Sequence, residues 1–286
     1  MTFSSDGWLG GAARRPSPNF YNDPNPREII VMHYTAGYRA SSAINTFLDA
    51  SSQASAHFVV DIDGAITQMV STNKCAWHAG GGYYNGRPKV NYFSIGIEIV
   101  NPGYHFRQPD GSYLNWKRDR PVDPELLAPY PGMTDARDVW VGSAMASWPH
   151  FPPAQLDAVE ELTLELITAY GSIGDVVGHR DVDHVRKRKV DPGPAFPLRR
   201  YRLLLDDRSD QEREPVEMRV AITGATLNVR GGPGTGFETL DWGPLRHGDR
   251  VQRLESVGDW FRIRRWFGGE AREGWAYARY VVPLTD

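Results

Sequence analysis

The sequence predicts an α/β domain, with a mixed central sheet flanked by helices, joined to a second, small all-β barrel. Three observations carry that expectation. Glu28-Ile29-Ile30-Val31-Met32-His33 contains a continuous apolar, β-branched run, the pattern of a central strand covered on both faces. Pro152 to Gly171 has the apolar stripe of an amphipathic helix. Beyond residue 217 the texture changes to short strand-like runs punctuated by glycine, as in a small barrel.

Bulk properties narrow the class. A chain of 286 residues is long enough for one sizeable core, and two domains are a natural division. With 41% hydrophobic and 23% charged residues it has an ordinary globular composition, which argues against disorder or a fibre. A net charge of −3 gives no electrostatic reason to expect a nucleic-acid partner. The lone Cys75 excludes an internal disulfide and thiolate zinc sites; beside Ala76 and Trp77 it reads as a small packing residue. Met1 to Phe20 holds no apolar run of signal-peptide length, and no later stretch approaches a membrane span. The expectation is a monomer without a membrane span, cytoplasmic or exported by a non-classical or phage-lysis route.

Taken in order, residues 1–27 are rich in Gly, Pro, Ser and Asn and read as an irregular lead-in. Ile29 to Met32 is the first strand. Ser41 or Ser42 is expected to cap a short helix whose Ile44, Phe47 and Leu48 share one face. The runs 57–62 and 65–70, separated by Asp63-Gly64, form a predicted hairpin. Ala79 to Gly82 is a glycine-rich loop. In Ile95-Gly96-Ile97-Glu98-Ile99 the isoleucines take one face of a strand and Gly96 and Glu98 the other. Residues 101–150, with Trp116, Trp140 and Trp148 but little periodicity, read as a long insertion packed over the domain. The following helix buries Leu156, Val159, Thr163, Leu166, Ile167 and Tyr170 and ends at Gly171. Ile173 to Val177 then delivers the chain to His179. On this reading one domain spans 28–205, a charged linker 206–217 and the barrel 218–286.

The candidate chemistry gathers around Gly178-His179-Arg180-Asp181 and Lys189-Val190-Asp191-Pro192. If that connection folds back on itself, His179 and Asp191 can share one metal ion, with His33 from a neighbouring strand as third ligand. Two imidazoles and a carboxylate leave one tetrahedral position open, the arrangement of catalytic rather than structural zinc. Residues i and i+2 of an extended segment face the same side, so Lys189 would hold its ammonium beside whatever Asp191 binds. Glu98, on the polar face of an isoleucine-faced strand, suits a cleft where it moves a proton for a hydrolase. Each residue has a plainer explanation: a satisfied histidine, a surface carboxylate, one more charge in Arg186-Lys187-Arg188-Lys189.

Taken together, residues from about 28 to 200 resemble the type 2 N-acetylmuramoyl-L-alanine amidases, zinc enzymes that cut peptidoglycan between the lactyl group of muramic acid and L-alanine. The likeness rests on His33-Tyr34-Thr35-Ala36, Ser55-Ala56-His57-Phe58, Ala76-Trp77-His78-Ala79-Gly80, Ser94-Ile95-Gly96-Ile97-Glu98, Gly178-His179-Arg180-Asp181 and Lys189-Val190-Asp191-Pro192-Gly193, all in the family's order. It implies zinc on His33, His179 and Asp191, catalytic roles for Glu98 and Lys189, and a peptidoglycan or muropeptide substrate. His57, Trp77 and His78 are candidates for substrate contact, although His57 inside a strand could instead hydrogen-bond the site. His105, His150, His184 and His247 read as surface residues. Ala56 stands where some relatives have tyrosine, and Asp191 where some have cysteine. Both departures resemble the bacterial branch in which a glutamate does the tyrosine's work.

The C-terminal segment, about 216–286, resembles bacterial SH3 domains through Leu227-Asn228-Val229-Arg230-Gly231-Gly232-Pro233, Gly258-Asp259-Trp260 and Gly274-Trp275-Ala276. That likeness implies a module that holds an enzyme on the cell wall. Two rivals stand beside a zinc amidase: a non-catalytic peptidoglycan-binding protein on the same fold, and a wall glycosidase using Glu98 with a second carboxylate.

Overall fold

In the computed structural model the described residues are 2–183, 188–212, 220–222, 226–246, 249, 251–267 and 270–283. They fall into two compact units, Met1–Arg208 and Ser209–Asp286. The first is built on a six-stranded sheet of β1 (Ala13–Arg14), β2 (Ile29–Tyr34), β3 (Phe58–Val60), β4 (Ile66–Gln68), β5 (Ser94–Ile99) and β6 (Asp175–Gly178), in the order β1-β4-β3-β5-β2-β6. Only the β3–β4 hairpin pairs antiparallel; β1 with β4, β3 with β5, β5 with β2 and β2 with β6 are parallel. The sheet is therefore mixed, as the sequence predicts.

The strands form where the apolar runs lie, and the alternation decides which face each side chain serves. Ile30 and Met32 of β2 join Ile95 and Ile97 of β5 in the main core, under helix α2 (Pro153–Ala169) and helix α4 (Leu198–Glu212). From α2 that core takes Val159, Leu162, Leu166 and Ile167, and from α4 Tyr201 and Leu204. Ile29 and Val31 point the other way, against Val90, Phe93 and Val177. A strand apolar on both faces is thus covered on both, and each fully buried isoleucine contributes roughly 1.5–3 kcal/mol.

Elsewhere the structure refines the reading. Helix α1 (Ala40–Leu48) begins one residue before Ser41, and its cap position is Arg39 with no side-chain cap, so neither serine caps it. The lead-in is more ordered than its composition implies. It supplies β1, a Phe20–Tyr21 strand paired with Cys75–Ala76, and Leu9, which is buried in the core. Segments two residues long carry no detectable period. The insertion packs through a Met133–Arg137 and Met145–Pro149 hairpin and a small core containing Phe106, Ala146 and Trp148. Helix α4 runs on to Glu212, into the stretch read as a linker; residues 213–217 lie outside the described ones.

The second unit has its own core of Leu227, Val229, Leu245, Val251, Ile263, Ala276 and Val281. Three of its strands, Gln252–Val257, Trp260–Phe267 and Glu270–Tyr277, form an antiparallel meander. Among the described residues no helix is long and apolar enough to cross a membrane.

Candidate active site

Parallel pairing places the chemistry at the carboxyl ends of three adjacent strands, where ligands of open α/β sheets characteristically bind. His33 is the fifth residue of β2 and lies in direct register with Glu98 of β5, so both project from the same face. β6, on the other side of β2, ends at Gly178, and His179 opens the short helix α3 (His179–Val182). Gly178 has a structural reason: a Cβ there would come within 2.8 Å of Pro192 Cδ, so a side chain would push away the segment carrying Asp191. The backbone fixes the same approach, since Arg180 N–H donates to the Asp191 carbonyl at 3.0 Å.

The result is a tight triangle. His33 Nδ1 and His179 Nδ1 are 2.9 Å apart, and Asp191 Oδ2 lies 3.2 Å from the first and 2.9 Å from the second. All three residues are buried. Four ligands about 2.0–2.1 Å from a tetrahedral zinc stand roughly 3.3 Å from one another, so this triangle has the size of one face of such a site. The three converging atoms also fit a cation better than one another, because a neutral ring nitrogen either donates or accepts and a carboxylate only accepts, so the three contacts cannot all be hydrogen bonds at once. Burial, reinforced by His179, brings the His33 pKa down to about 4, which leaves a neutral ring suited to ligation. Burial alone would raise Asp191, yet His179 and His33 outweigh it and hold the carboxyl well below the usual carboxylate range.

A cavity of about 430 Å³ opens onto this triangle, lined among others by Tyr34, Trp77, Glu98, Trp116, Lys189 and Asp191. Glu98 Oε2 is enclosed and has no hydrogen-bond partner among the described residues. Burial, then the charge of Asp191, pushes the Glu98 pKa well above its ordinary value, and Lys189 opposes the shift. An unpartnered carboxylate oxygen lining the same cavity as a metal-sized triangle has the makings of a proton acceptor. Lys189 is exposed at the cavity wall, and its loop is held by buried Asp183, whose Oδ2 accepts from Arg188 N–H at 2.8 Å and Lys189 N–H at 3.1 Å. Sequence reasoning missed Asp183; its position four residues after His179, one helical turn away, was the available signal.

Two further expectations need correction. His57 does not line the cavity. It is fully buried in the sheet, its Nε2 donating to the Lys74 carbonyl at 2.9 Å and its Nδ1 accepting from Gly96 N–H at 3.0 Å. With both nitrogens engaged by backbone it has nothing left for substrate. His105 is not a surface residue: it is 2% exposed within the insertion, against the Tyr38 hydroxyl. His150 is half-buried; His184 and His247 lie outside the described residues. Trp77 does face the cavity, with its ring 5.2 Å from that of Tyr21. His78 touches the cavity wall but is only 9% exposed, and its Nδ1 lies 3.0 Å from His33 Nε2, on the side of His33 away from the triangle. Burial, then the neighbouring His33, holds its pKa well below that of a free imidazole.

Comparison with known proteins bears on this geometry. The pattern describing N-acetylmuramoyl-L-alanine amidases matches residues 23–194, and that of bacterial SH3 domains matches residues 225–282. The 1,6-anhydro-N-acetylmuramyl-L-alanine amidase AmpD of Citrobacter freundii is 28% identical over 227 residues, covering 72% of this chain and 97% of the relative. The N-acetylmuramoyl-L-alanine amidase AmiD of Escherichia coli is 30% identical over 178 residues, 59% of this chain and 50% of the relative. Among solved structures, an AmpD crystal structure aligns with a TM-score of 0.48 at 27% identity, covering 72% of this chain and 99% of the other.

Proposed function

The chain belongs to the N-acetylmuramoyl-L-alanine amidase family, and from that membership we propose that a zinc ion held by His33, His179 and Asp191 serves its hydrolysis of the muramoyl-L-alanine amide. The observation that carries the metal assignment is the triangle of Nδ1, Nδ1 and Oδ2 beside the unpartnered Oε2 of Glu98. When bound, zinc supplies Lewis acidity toward the scissile carbonyl and a lowered pKa for a water.

The remaining steps belong to side chains. Glu98 Oε2 takes a proton from the attacking water and hands it to the leaving nitrogen of L-alanine. The Lys189 ammonium, at the cavity wall beside Asp191, donates to the oxygen on which negative charge develops. The raised pKa of Glu98 suits both halves of its cycle, since a carboxyl too acidic would hold the proton too weakly to deliver it. Trp77 and Trp116 offer apolar walls to the sugar and stem peptide. The C-terminal SH3-like unit, on this reading, keeps the enzyme on polymeric peptidoglycan. The AmpD relatives are named for 1,6-anhydro substrates, so soluble anhydro-muropeptides are the other form to test.

Replacing Glu98 with glutamine is expected to lower the rate of release of the L-alanine amine from a muropeptide by about 10²–10⁴-fold, while metal analysis still finds one zinc per chain. Full activity in that variant would reject the assigned role, and new reducing sugar ends would identify a glycosidase instead. Digesting whole sacculi and soluble anhydro fragments side by side identifies the preferred form.

A further inference from the structure

We propose that His78 and Ser94 are positioning residues that fix the tautomer of His33, so that its Nδ1 presents a bare lone pair to the metal. The inference rests on the zinc site proposed above. It follows from the direction of a chain of hydrogen bonds running away from the triangle.

That chain has a fixed end. Ser94 Oγ lies 2.6 Å from the Val90 carbonyl, which can only accept, so the hydroxyl proton points there. His78 Nε2 lies 3.0 Å from the same Oγ, which is left as acceptor, so the proton on this side of the ring is on Nε2. A second proton, on His78 Nδ1, would make an unpaired cation inside a cluster of rings that includes His33 and His57. His78 Nδ1 is therefore an acceptor, and the contact of 3.0 Å to His33 requires His33 Nε2 to donate. A neutral imidazole protonated on Nε2 carries its lone pair on Nδ1, the atom that faces His179 and Asp191. The sheet is shaped to seat this relay. An added Cβ on Gly96 would lie 2.4 Å from His78 Cγ, so the ring occupies the space that a side chain on β5 would fill. Asn91 Oδ1 accepts from His78 N–H at 3.2 Å and Ala79 N–H at 2.7 Å and fixes the backbone beneath it. Metal-bound histidines generally need such an outer partner, and losing it typically costs 10–100-fold in metal affinity.

The test is zinc affinity of the full chain, by competition with a chromophoric chelator, for wild type, Asp191→Ala, His78→Leu, His78→Asn and Ser94→Ala. Leucine matches the volume of the imidazole but accepts nothing, whereas asparagine is smaller and can place Oδ1 where Nδ1 was. The relay predicts affinity about 10–100-fold lower in His78→Leu, near wild type in His78→Asn, and lower by a smaller factor in Ser94→Ala. A role in packing alone predicts the reverse order for the two His78 variants and no effect of Ser94→Ala, and either result overturns the inference. Should His78→Leu fail to fold, Ser94→Ala decides: wild-type affinity there refutes the relay. Wild type binding no better than Asp191→Ala would instead refute the metal site itself.

Discussion

His57 shows how a residue type that suggests catalysis can serve the fold. Its pKa falls to about 4 from 6.5 because the ring is buried, and it stays neutral while pinning Lys74 to Gly96. The unfolded chain takes up the proton as pH falls through 6.5, whereas the folded chain resists until about 4. The stability this ring contributes is thus complete above pH 6.5 and lost across that window, by up to about 3 kcal/mol. Urea unfolding of His57→Gln between pH 7 and 4.5 is expected to show lower stability at pH 7 and a shallower dependence on pH; an unchanged slope would refute this account. The sequence could mark His57 only as a histidine within a known motif, and a motif does not say which way a ring points. For His33, His179 and Asp191 it said more, since strand ends and a returning loop limited where their side chains could meet. Ser94 was hidden because its hydrogen bonds are ones that no spacing encodes, and Asp183 left only the weak signal of its place one helical turn after His179.

At the scale of elements, the segment between α3 and α4 is where the sequence left most open, and Asp183 is the residue that gives it a path past Lys189. Removing its carboxylate leaves two main-chain donors unpaired and frees the lysine to wander. Asp183→Ala is expected to cut kcat about tenfold, the equivalent of one lost hydrogen bond of roughly 1.4 kcal/mol, with zinc retained. Loss of metal along with activity would show that the loop holds Asp191 instead. The long elements were legible: β2 from its continuous apolar run, α2 from its stripe, the β3–β4 hairpin from Asp63-Gly64, whose glycine has φ +88°. The insertion and the lead-in were not, because their strands are short and their polar residues, His105 among them, are buried by neighbours far away in sequence. Periodicity reports the face an element shows to the core, and a two-residue strand has no face to report.

For the whole molecule, two separate cores invite a division of labour. A chain ending at Glu212 is expected to cleave soluble muropeptide at close to the full rate while its affinity for intact sacculi, read by co-sedimentation, falls about 10²–10⁴-fold, the scale on which a tethered second site raises avidity. Undiminished sedimentation would remove the wall-anchoring role from the C-terminal unit. In the sequence the division is drawn from the change of texture past residue 217, where glycine-punctuated short strands begin, whereas the compact units divide after Arg208.

Because His33 and Glu98 are neighbours across a parallel ladder, the spacing of their backbones is set by the main chain, at the roughly 4.8 Å that separates any two paired strands. No loop closure is needed to bring them together, and no loop motion can pull them apart. The amides of these two residues should exchange with deuterium only when the entire sheet opens, so their pairing is expected to be as long-lived as the native state itself.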